Sequence, residues 1–525
     1  MPQPRYCTSA AITWCGSFHH QTSASLNDQR GKRRTYSRGT TQTDNDNRSI
    51  NTFPAEILCK VFFDATDSPY TTCDPPYLPP HRANLVLLEI TAVCKHWRLV
   101  ALGCAILWTK VAFSTSEPST LWCARLFLAR SKEAELSVYI CDSERPEDPG
   151  ISRSSEELEL LENVSAQTHR ISTCQLSSLF PDFWRYWASP APNLRNLLVQ
   201  GHGTEAPLVF RGEFPQLKTL TSLRYVTWPL GNYATLTHAR LRNHGGRVTL
   251  TLLLATLAGC TALEGLTLEG YRSEEQEIPR LMPILLPRLR QIDLISCDSS
   301  RILEYLEAPS LRRRVVVYDS DPQYNILHSL PTPQRNTPYL QGIRSLKVDL
   351  DMHSPYHHIV GFRADGSTAL YIGAYGVPCW AKWNWIHLSF AAVASFSPFS
   401  NIRSLTLTTD ALTVPWELWL PNLNNVVDLT VSCPRLDHFL VSLLTPCLGT
   451  RLPSLHNLTL RRFGRYSVLD YDALMAFVFH RYKVGRPLRQ LRLTREDWGW
   501  IRRLDETWTL FIQSQCKCLG PYVFV

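Results

Sequence analysis

The sequence contains no CxxC pair, no long apolar run and only one leucine before residue 50. Sixteen cysteines without regular spacing argue against a zinc ribbon or a small disulfide scaffold and favour reduced, mostly buried thiols of an intracellular protein. The uncharged stretch 383–402 contains asparagine, histidine and proline, so we expect no membrane span. No segment is typical of a signal peptide, which predicts a cytoplasmic or nuclear location.

Charge is spread unevenly along the chain. The net charge is +8, and the first 49 residues contain seven Lys or Arg against three Asp or Glu. The remaining residues carry 47 basic and 43 acidic side chains, so we expect no nucleic-acid partner for the folded part. We predict that residues 1–49 are a disordered basic tail, with a nuclear import signal at Arg30–Arg38 as an alternative.

Helical periodicity begins after residue 50. Apolar residues recur at helical spacing from Ile57 to Ala65 and again from Val86 to Ala101. A further helix is predicted from Pro118 to about Arg130. We therefore predict a helical module at residues 50–113 and a connecting helix within residues 114–135.

From residue 136 onward a leucine-rich pattern of the form L-x-x-L-x-L recurs. The L-x-L pair directs both side chains to one face of a short strand, and stacking of neighbouring units closes a continuous core. Such spacing fits repeat units of roughly 20–29 residues with insertions, and predicts an array over 136–525. The runs begin at Ile171, Leu194, Leu236, Leu263, Leu289, Ile343, Ile402, Val426, Leu455 and Leu488.

Residues 351–400 contain only two leucines and many aromatic residues. We interpret this segment as an insertion in the array or as a degenerate pair of repeats. Its aromatic side chains, such as those of Tyr371, Tyr375 and Trp383, are expected to serve packing rather than ligand binding.

No motif of a known enzyme class occurs, so we predict a protein without catalytic activity and without a cofactor. One cluster could bind a metal ion, since imidazoles and carboxylates lie a few residues apart. We expect this cluster to be a solvated loop and predict no metal site. It comprises Asp349, Asp351, His353, His357 and His358.

Residues 53–108 resemble an F-box, in the F-box-like form common in mushroom-forming fungi. The resemblance is carried by Phe53-Pro54-Ala55-Glu56-Ile57-Leu58, Val61-Phe62, Val93-Cys94-Lys95-His96-Trp97-Arg98, Val100-Ala101-Leu102 and Leu107-Trp108. It implies docking onto a Skp-type adaptor and, through it, onto a cullin–RING ubiquitin ligase that supplies catalysis in trans. The adaptor-binding residues implied by the resemblance are Phe53, Pro54, Ile57, Leu58, Phe62, Val93, Cys94, Trp97, Leu107 and Trp108.

The combined prediction is an α+β protein, with a small helical F-box module followed by an irregular α/β leucine-rich-repeat solenoid. Its predicted function is substrate recognition for a ubiquitin ligase, with an unknown protein client bound by the repeats. Two alternatives remain open at this point. One is a leucine-rich interaction scaffold without ubiquitin transfer, and the other is an enzyme with an unrecognised site in residues 351–400.

Overall fold

The computed structural model describes twenty-one stretches of the chain, and residues 1–49 lie outside them. By backbone proximity the chain divides into two compact units. The first comprises Met1–Ser68 and Val86–Cys104, and the second comprises Pro69–Leu85 and Ala105–Val525. The described stretches are 53–66, 81–114, 117–142, 154–178, 181–203, 209–225, 233–242, 247–248, 250–273, 283–297, 302–303, 305–319, 342–350, 356–375, 401–410, 414, 416, 420–444, 452–463, 469–493 and 510.

Helix α1 spans Ala55–Thr66, α2 spans His81–Val93 and α3 spans Lys95–Gly103. Pro54 directly precedes α1, where a fixed φ and a missing N–H are tolerated. Its carbonyl accepts hydrogen bonds from the amides of Ile57 at 3.0 Å and Leu58 at 3.2 Å. The predicted helices around residues 57–65 and 86–101 are therefore confirmed, with a break at Cys94.

A sheet of sixteen strands runs through the second unit, in the order β1-β2-β3-β4-β5-β6-β8-β11-β13-β16-β15-β14-β17-β18-β19-β20. Two short parallel pairs, β7 with β9 and β10 with β12, lie outside it. The strands are β1 Lys110–Ser114, β2 Leu136–Asp142, β3 Ile171–Ser178, β4 Asn196–Gly203, β5 Thr219–Tyr225, β6 His238–Arg242, β7 Arg247–Val248, β8 Gly265–Glu269, β9 Arg272–Ser273, β10 Ile284–Leu285, β11 Gln291–Ile295, β12 Leu306–Glu307, β13 Arg313–Asp319, β14 Ile343–Leu350, β15 Tyr356–Arg363, β16 Thr368–Tyr375, β17 Ser404–Thr409, β18 Asp428–Cys433, β19 Asn457–Arg462 and β20 Gln490–Arg492.

One residue from every strand of this sheet lies in a single buried row that crosses from β1 to β20. Side chains alternate between the two faces of a strand, so this row marks the core face of the sheet. Nearly all members are aliphatic, and burying each such side chain contributes about 1.5–3 kcal/mol. The prediction of a stacked array of leucine-rich strands is confirmed in this parallel sheet. The row consists of Val111, Val138, Cys174, Leu197, Leu220, Ala239, Leu266, Ile292, Arg314, Leu370, Gly361, Leu346, Leu405, Leu429, Leu458 and Leu491.

Two members of the row depart from the leucine pattern. Arg314 is fully buried between Ile292 and Leu370 on the neighbouring strands, at a position where the pattern predicts an aliphatic side chain. Gly361 lies where a Cβ would come within 2.8 Å of the Ile343 Cδ1 atom. The side chain of Ile343 therefore fills the space that a larger residue at 361 would need.

The segment that we interpreted as an insertion enters the sheet. Strand β15 pairs antiparallel with both β14 and β16, while β16 pairs parallel with β13 and β14 pairs parallel with β17. Residues 356–375 thus add two strands between β13 and β14. The segment is poor in leucine, and hydrogen bonds of its backbone groups join the two strands to their neighbours. Residues 376–400 lie outside the described residues.

The array begins earlier than the sequence suggests. We placed the end of the helical module at residue 113 and the start of the array at 136, whereas β1 at Lys110–Ser114 pairs in parallel with β2. The second unit includes the chain from Ala105 onward. Helix α4, at Pro118–Arg130, connects β1 to β2 as a repeat crossover does.

Further helices in the second unit are α5 at Ser155–Ser165, α6 at Leu250–Ala258, α7 at Leu436–Leu444 and α8 at Tyr471–Lys483. Ser154 caps α5, since its hydroxyl accepts the Glu157 amide at 3.2 Å. Short 3₁₀ turns lie at 105–108, 168–170, 181–187, 209–212 and 420–422. From α8, the buried Arg481 donates hydrogen bonds to the carbonyls of Leu452 at 2.9 Å and Leu455 at 2.5 Å, which ties α8 to the segment before β19.

Candidate interaction surfaces

Helix α1 carries two apolar faces. Leu58 and Phe62 lie one turn apart and are almost fully buried, at 0% and 1% exposure. Ile57 and Val61 form the adjacent row, about 100° around the helix, and are 48% and 45% exposed. Phe53, just before the helix, is 47% exposed. One face of α1 therefore packs in the core of the first unit, and the other presents apolar side chains to solvent.

Helix α3 positions Trp97 against the buried face of α1. The Cys94 Sγ atom accepts the amide of Trp97 at 3.4 Å and thereby caps the helix. The Trp97 ring centroid lies 5.0 Å from that of Phe62, at an angle of 53° between the ring planes. Trp97 is half-buried, so its main contact in this unit is packing between α1 and α3.

The residues implied by the F-box resemblance fall into three groups. Phe53, Pro54, Ile57 and Val93 are exposed, and Cys94 and Trp97 are half-buried. Leu58, Phe62, Leu107 and Trp108 are buried. The exposed group lies at the surface, and the buried group contributes to the cores of the two units.

Leu107 and Trp108 belong to the second unit rather than to the helical one. The Trp108 ring packs edge-on against Phe127 of α4, with a centroid distance of 4.9 Å. The Arg130 guanidinium lies 4.3 Å from the Trp108 ring centroid, within cation–π range. Their position predicted adaptor contact, but their packing is that of core residues at the start of the array.

Val61 is absent from the predicted contact set, although it continues the exposed row of α1. The signal was available in the sequence, since Phe53, Ile57 and Val61 are spaced by four residues. That spacing puts them on one side of a helix. It does not by itself say which side faces solvent.

The second surface is the open face of the sheet, which carries the residues that alternate with the buried rows. Its central row is half-exposed and mostly polar. The row includes Gln175, Leu198, Thr221, Arg240, Thr267, Asp293, Tyr371, Lys347, Thr406, Thr430 and Thr459.

A charged group lies at the centre of the open face, on β6, β8 and β11. The Arg242 Nε atom lies 2.8 Å from Glu269 Oε1, and an Arg240 Nη2 atom lies 4.0 Å from the other oxygen of Glu269. Gln291 donates a hydrogen bond to Asp293 at 2.7 Å. Burial raises the pKa of Asp293 despite this bond and the nearby arginines.

The histidine cluster is divided by the strand that carries it. His357 and His358 are neighbours on β15, so their side chains point to opposite faces, and His357 is buried on the core face. On the open face the His358 ring stacks on Tyr371 at 6.0 Å, and its Nε2 atom lies 3.8 Å from Asp349. Burial lowers the pKa of His358.

Asp349, His357 and His358 lie on strands rather than in the solvated loop that we expected. Asp351 and His353 lie outside the described residues. Within the part of the chain that the structure describes, no group of three or more His, Cys, Asp or Glu side chains is arranged to hold a metal ion.

Among the described residues, no disulfide bond joins two cysteines. Burial raises the pKa of Cys260 and of Cys433 to about 12, and that of Cys59 to about 11 with a contribution from a hydrogen bond to Cys104. Such thiols stay protonated at neutral pH and are poor nucleophiles. Their environment is that of packed side chains.

Taken together, the two units define a class of architecture: a short helical unit followed by a long sheet of stacked, mostly parallel repeat strands. No protein-family model matches the chain, and no curated protein matches it in sequence. Among solved structures, a leucine-rich-repeat protein of Leptospira interrogans is similar over 63% of this chain and 80% of its own, at 13% identity and a TM-score of 0.24. The repeat architecture is defined by the strand register of this chain.

Among the described residues, every helix is too short or too polar to cross a membrane.

Proposed function

We propose that the chain is a substrate-recognition subunit of a Skp–cullin–F-box ubiquitin ligase. In this proposal the first unit binds a Skp-type adaptor and the repeat array binds a protein client. The proposal draws on the F-box resemblance of residues 53–108, with the later part of that stretch assigned to packing of the array.

The exposed row on α1 is the observation that carries the proposal. Phe53, Ile57 and Val61 are each nearly half exposed, whereas Leu58 and Phe62 on the adjacent row of the same short helix are buried. Contiguous exposed apolar side chains favour a protein interface. A partner that covers this row would leave both apolar rows of this twelve-residue helix buried.

Client binding is assigned to the open face of the sheet. Side chains there alternate with the buried rows, so they vary without disturbing the core. Repeat units mainly contact their neighbours, which predicts that client binding does not depend on the adaptor-binding helix.

The test is adaptor co-purification with the double variant Ile57→Glu and Val61→Glu. Removing two central apolar anchors is expected to cost about 2 kcal/mol each, or roughly 30-fold in affinity per anchor. Substituting Leu58 would be a poor choice, because Leu58 is fully buried and its loss would unfold the unit.

The control is Trp122→Glu, which introduces one such carboxylate at a large apolar residue of α4 that is 62% exposed. We expect the control to retain the adaptor and the double variant to lose it, with unchanged circular dichroism for both. A wild-type chain that captures no Skp-type adaptor, or a folded double variant that binds it fully, would contradict the proposal and leave a scaffold role.

A further inference from the structure

Two thiols of the first unit lie in contact with each other. Cys59 is on α1, whereas Cys104 directly follows the last residue of α3, so the two sulfur atoms belong to distant parts of the chain. A hydrogen bond joins the two side chains. Both residues are half-buried, so the pair is packed on one side and open to solvent on the other.

The packing of α1 against α3 holds this pair in place. Phe62, three residues after Cys59, packs against Trp97 with ring centroids 5.0 Å apart. Cys104 ends α3, and its amide donates to the Ala101 carbonyl at 3.3 Å, which fixes the backbone at that position. Two thiols already in contact need only a short further approach to reach the S–S distance of a disulfide, about 2.05 Å.

The two thiols differ in chemistry and in access. Burial raises the pKa of Cys59 to about 11, and the hydrogen bond to Cys104 and the charge of Glu56 add to the shift. Cys59 therefore keeps its proton at neutral pH. Cys104 lies next to Gly103, which is exposed and has no atom within 4 Å of the place where a Cβ would stand. A small reagent therefore reaches the pair at Cys104.

We propose that Cys59 and Cys104 form a reversible disulfide by exchange with a small-molecule disulfide such as oxidised glutathione. The Cys104 thiol loses its proton to water, and its sulfur attacks one sulfur of the reagent, which forms a mixed disulfide and expels a thiolate. The Cys59 thiol then loses its proton, attacks the Cys104 sulfur and expels the second thiolate. The protein sulfurs lose two electrons, and the reagent is reduced to two thiols as its thiolates take up protons.

The disulfide would tie α1 to the end of α3. It closes a loop that contains α2 and α3, and such a crosslink stabilises a folded unit mainly by restricting its unfolded chain. Around the axis of α1, Cys59 lies about 160° from Ile57 and from Val61, so the crosslink leaves the exposed apolar row uncovered. The site does not depend on the adaptor-binding proposal.

The test is an oxidation series on the full chain. The protein is equilibrated with reduced and oxidised glutathione in varied ratio, trapped in acid, alkylated, digested and analysed by mass spectrometry. We expect a linked peptide that joins Cys59 to Cys104, loss of both thiols at one midpoint, and recovery of both with dithiothreitol. Hydrogen exchange of α1 and α3 should slow in the oxidised chain, because the crosslink opposes their separation.

Two single variants separate the roles of the thiols. In Cys59→Ser, Cys104 should stop at the mixed disulfide with glutathione, because the second thiol is missing. In Cys104→Ser, Cys59 should stay mostly a free thiol at pH 7, because it keeps its proton. The control is Cys141→Ser, which removes an exposed cysteine of β2 and should leave the linked peptide and its midpoint unchanged. Circular dichroism confirms the fold of each variant.

Three results would overturn the proposal. The first is a folded chain that yields no linked peptide in fully oxidised glutathione, and the second is preferential linkage of either thiol to another cysteine. The third is an equal slowing of exchange in oxidised Cys59→Ser, which would show that the crosslink is not the cause. Equal formation of mixed disulfide in both single variants would refute the order of attack. No adaptor enters these measurements, so their failure is distinct from failure of adaptor binding.

Discussion

Replacing Leu458 by aspartate should unfold the C-terminal part of the repeat array. Leu458 is 1% exposed and lies in the buried row between Leu429 on β18 and Leu491 on β20. Thr459, the next residue, points to the open face and is half-exposed. The variants Leu458→Asp and Thr459→Asp therefore put the same carboxylate on opposite faces of one strand.

The expected difference follows from burial. Truncating a buried leucine costs about 2–5 kcal/mol through lost transfer energy and the cavity left behind. Burying a carboxylate without a partner adds several kcal/mol more, or forces its protonation. The sum is comparable to the whole stability of a domain, about 5–15 kcal/mol. At position 459 the carboxylate stays in water opposite Arg492, so the change should stay within about 1 kcal/mol.

Urea denaturation followed by circular dichroism measures the loss, and hydrogen exchange locates it. Since repeats contact mainly their neighbours, protection should disappear first from β18 to β20 and from α7 and α8. Thr459→Asp should keep the wild-type midpoint. A soluble Leu458→Asp chain with the same midpoint and the same exchange pattern would falsify the assigned strand register.

Three further outcomes are expected. Deleting residues 1–49 should change the melting temperature by no more than a few degrees, because that segment is polar, basic and poor in leucine. Arg481→Leu should lower the free energy of unfolding by roughly 2–4 kcal/mol in urea titrations, because two buried carbonyls, those of Leu452 and Leu455, lose their donors. Asp293→Asn should stabilise the chain at pH 7. Burial raises the pKa of Asp293, so the charged carboxylate lowers the stability of the wild-type chain fully once the pH exceeds the folded pKa. The stability gained by Asp293→Asn should therefore vanish below pH ~3.9, where the carboxyl is protonated in the folded and unfolded chains. Urea denaturation at several pH values measures this dependence.

The candidate site on α1 was only partly predictable. Helical spacing puts Leu58 with Phe62 and Ile57 with Val61 on adjacent sides of the helix. Both rows are apolar, so the pattern does not decide which row is buried. The packing of Phe62 against Trp97 decides it, and that contact joins residues far apart in the chain.

The edge of the sheet at which the parallel strands begin shows the same division between sequence and tertiary structure. The basic residue after the first aliphatic residue of a repeat is visible at Leu289-Arg290 and at Leu311-Arg312. Arg363 follows no such pattern. It lies at the same edge because β15 runs antiparallel, which depends on backbone pairing with β14 and β16.

The sequence by itself determined the positions of ten of the sixteen strands of the sheet, those with the leucine pattern, and the face that each of them buries. An alternating apolar pair has one favourable arrangement on a sheet, and a shift of one residue would expose every leucine. Tertiary structure alone decided that β15 and β16 lie between β13 and β14 and that Arg314 is buried. It also decided that Trp108 packs against Phe127 in the core of the array. These features rest on contacts between distant segments, and local periodicity carries no information about which distant segment a residue meets.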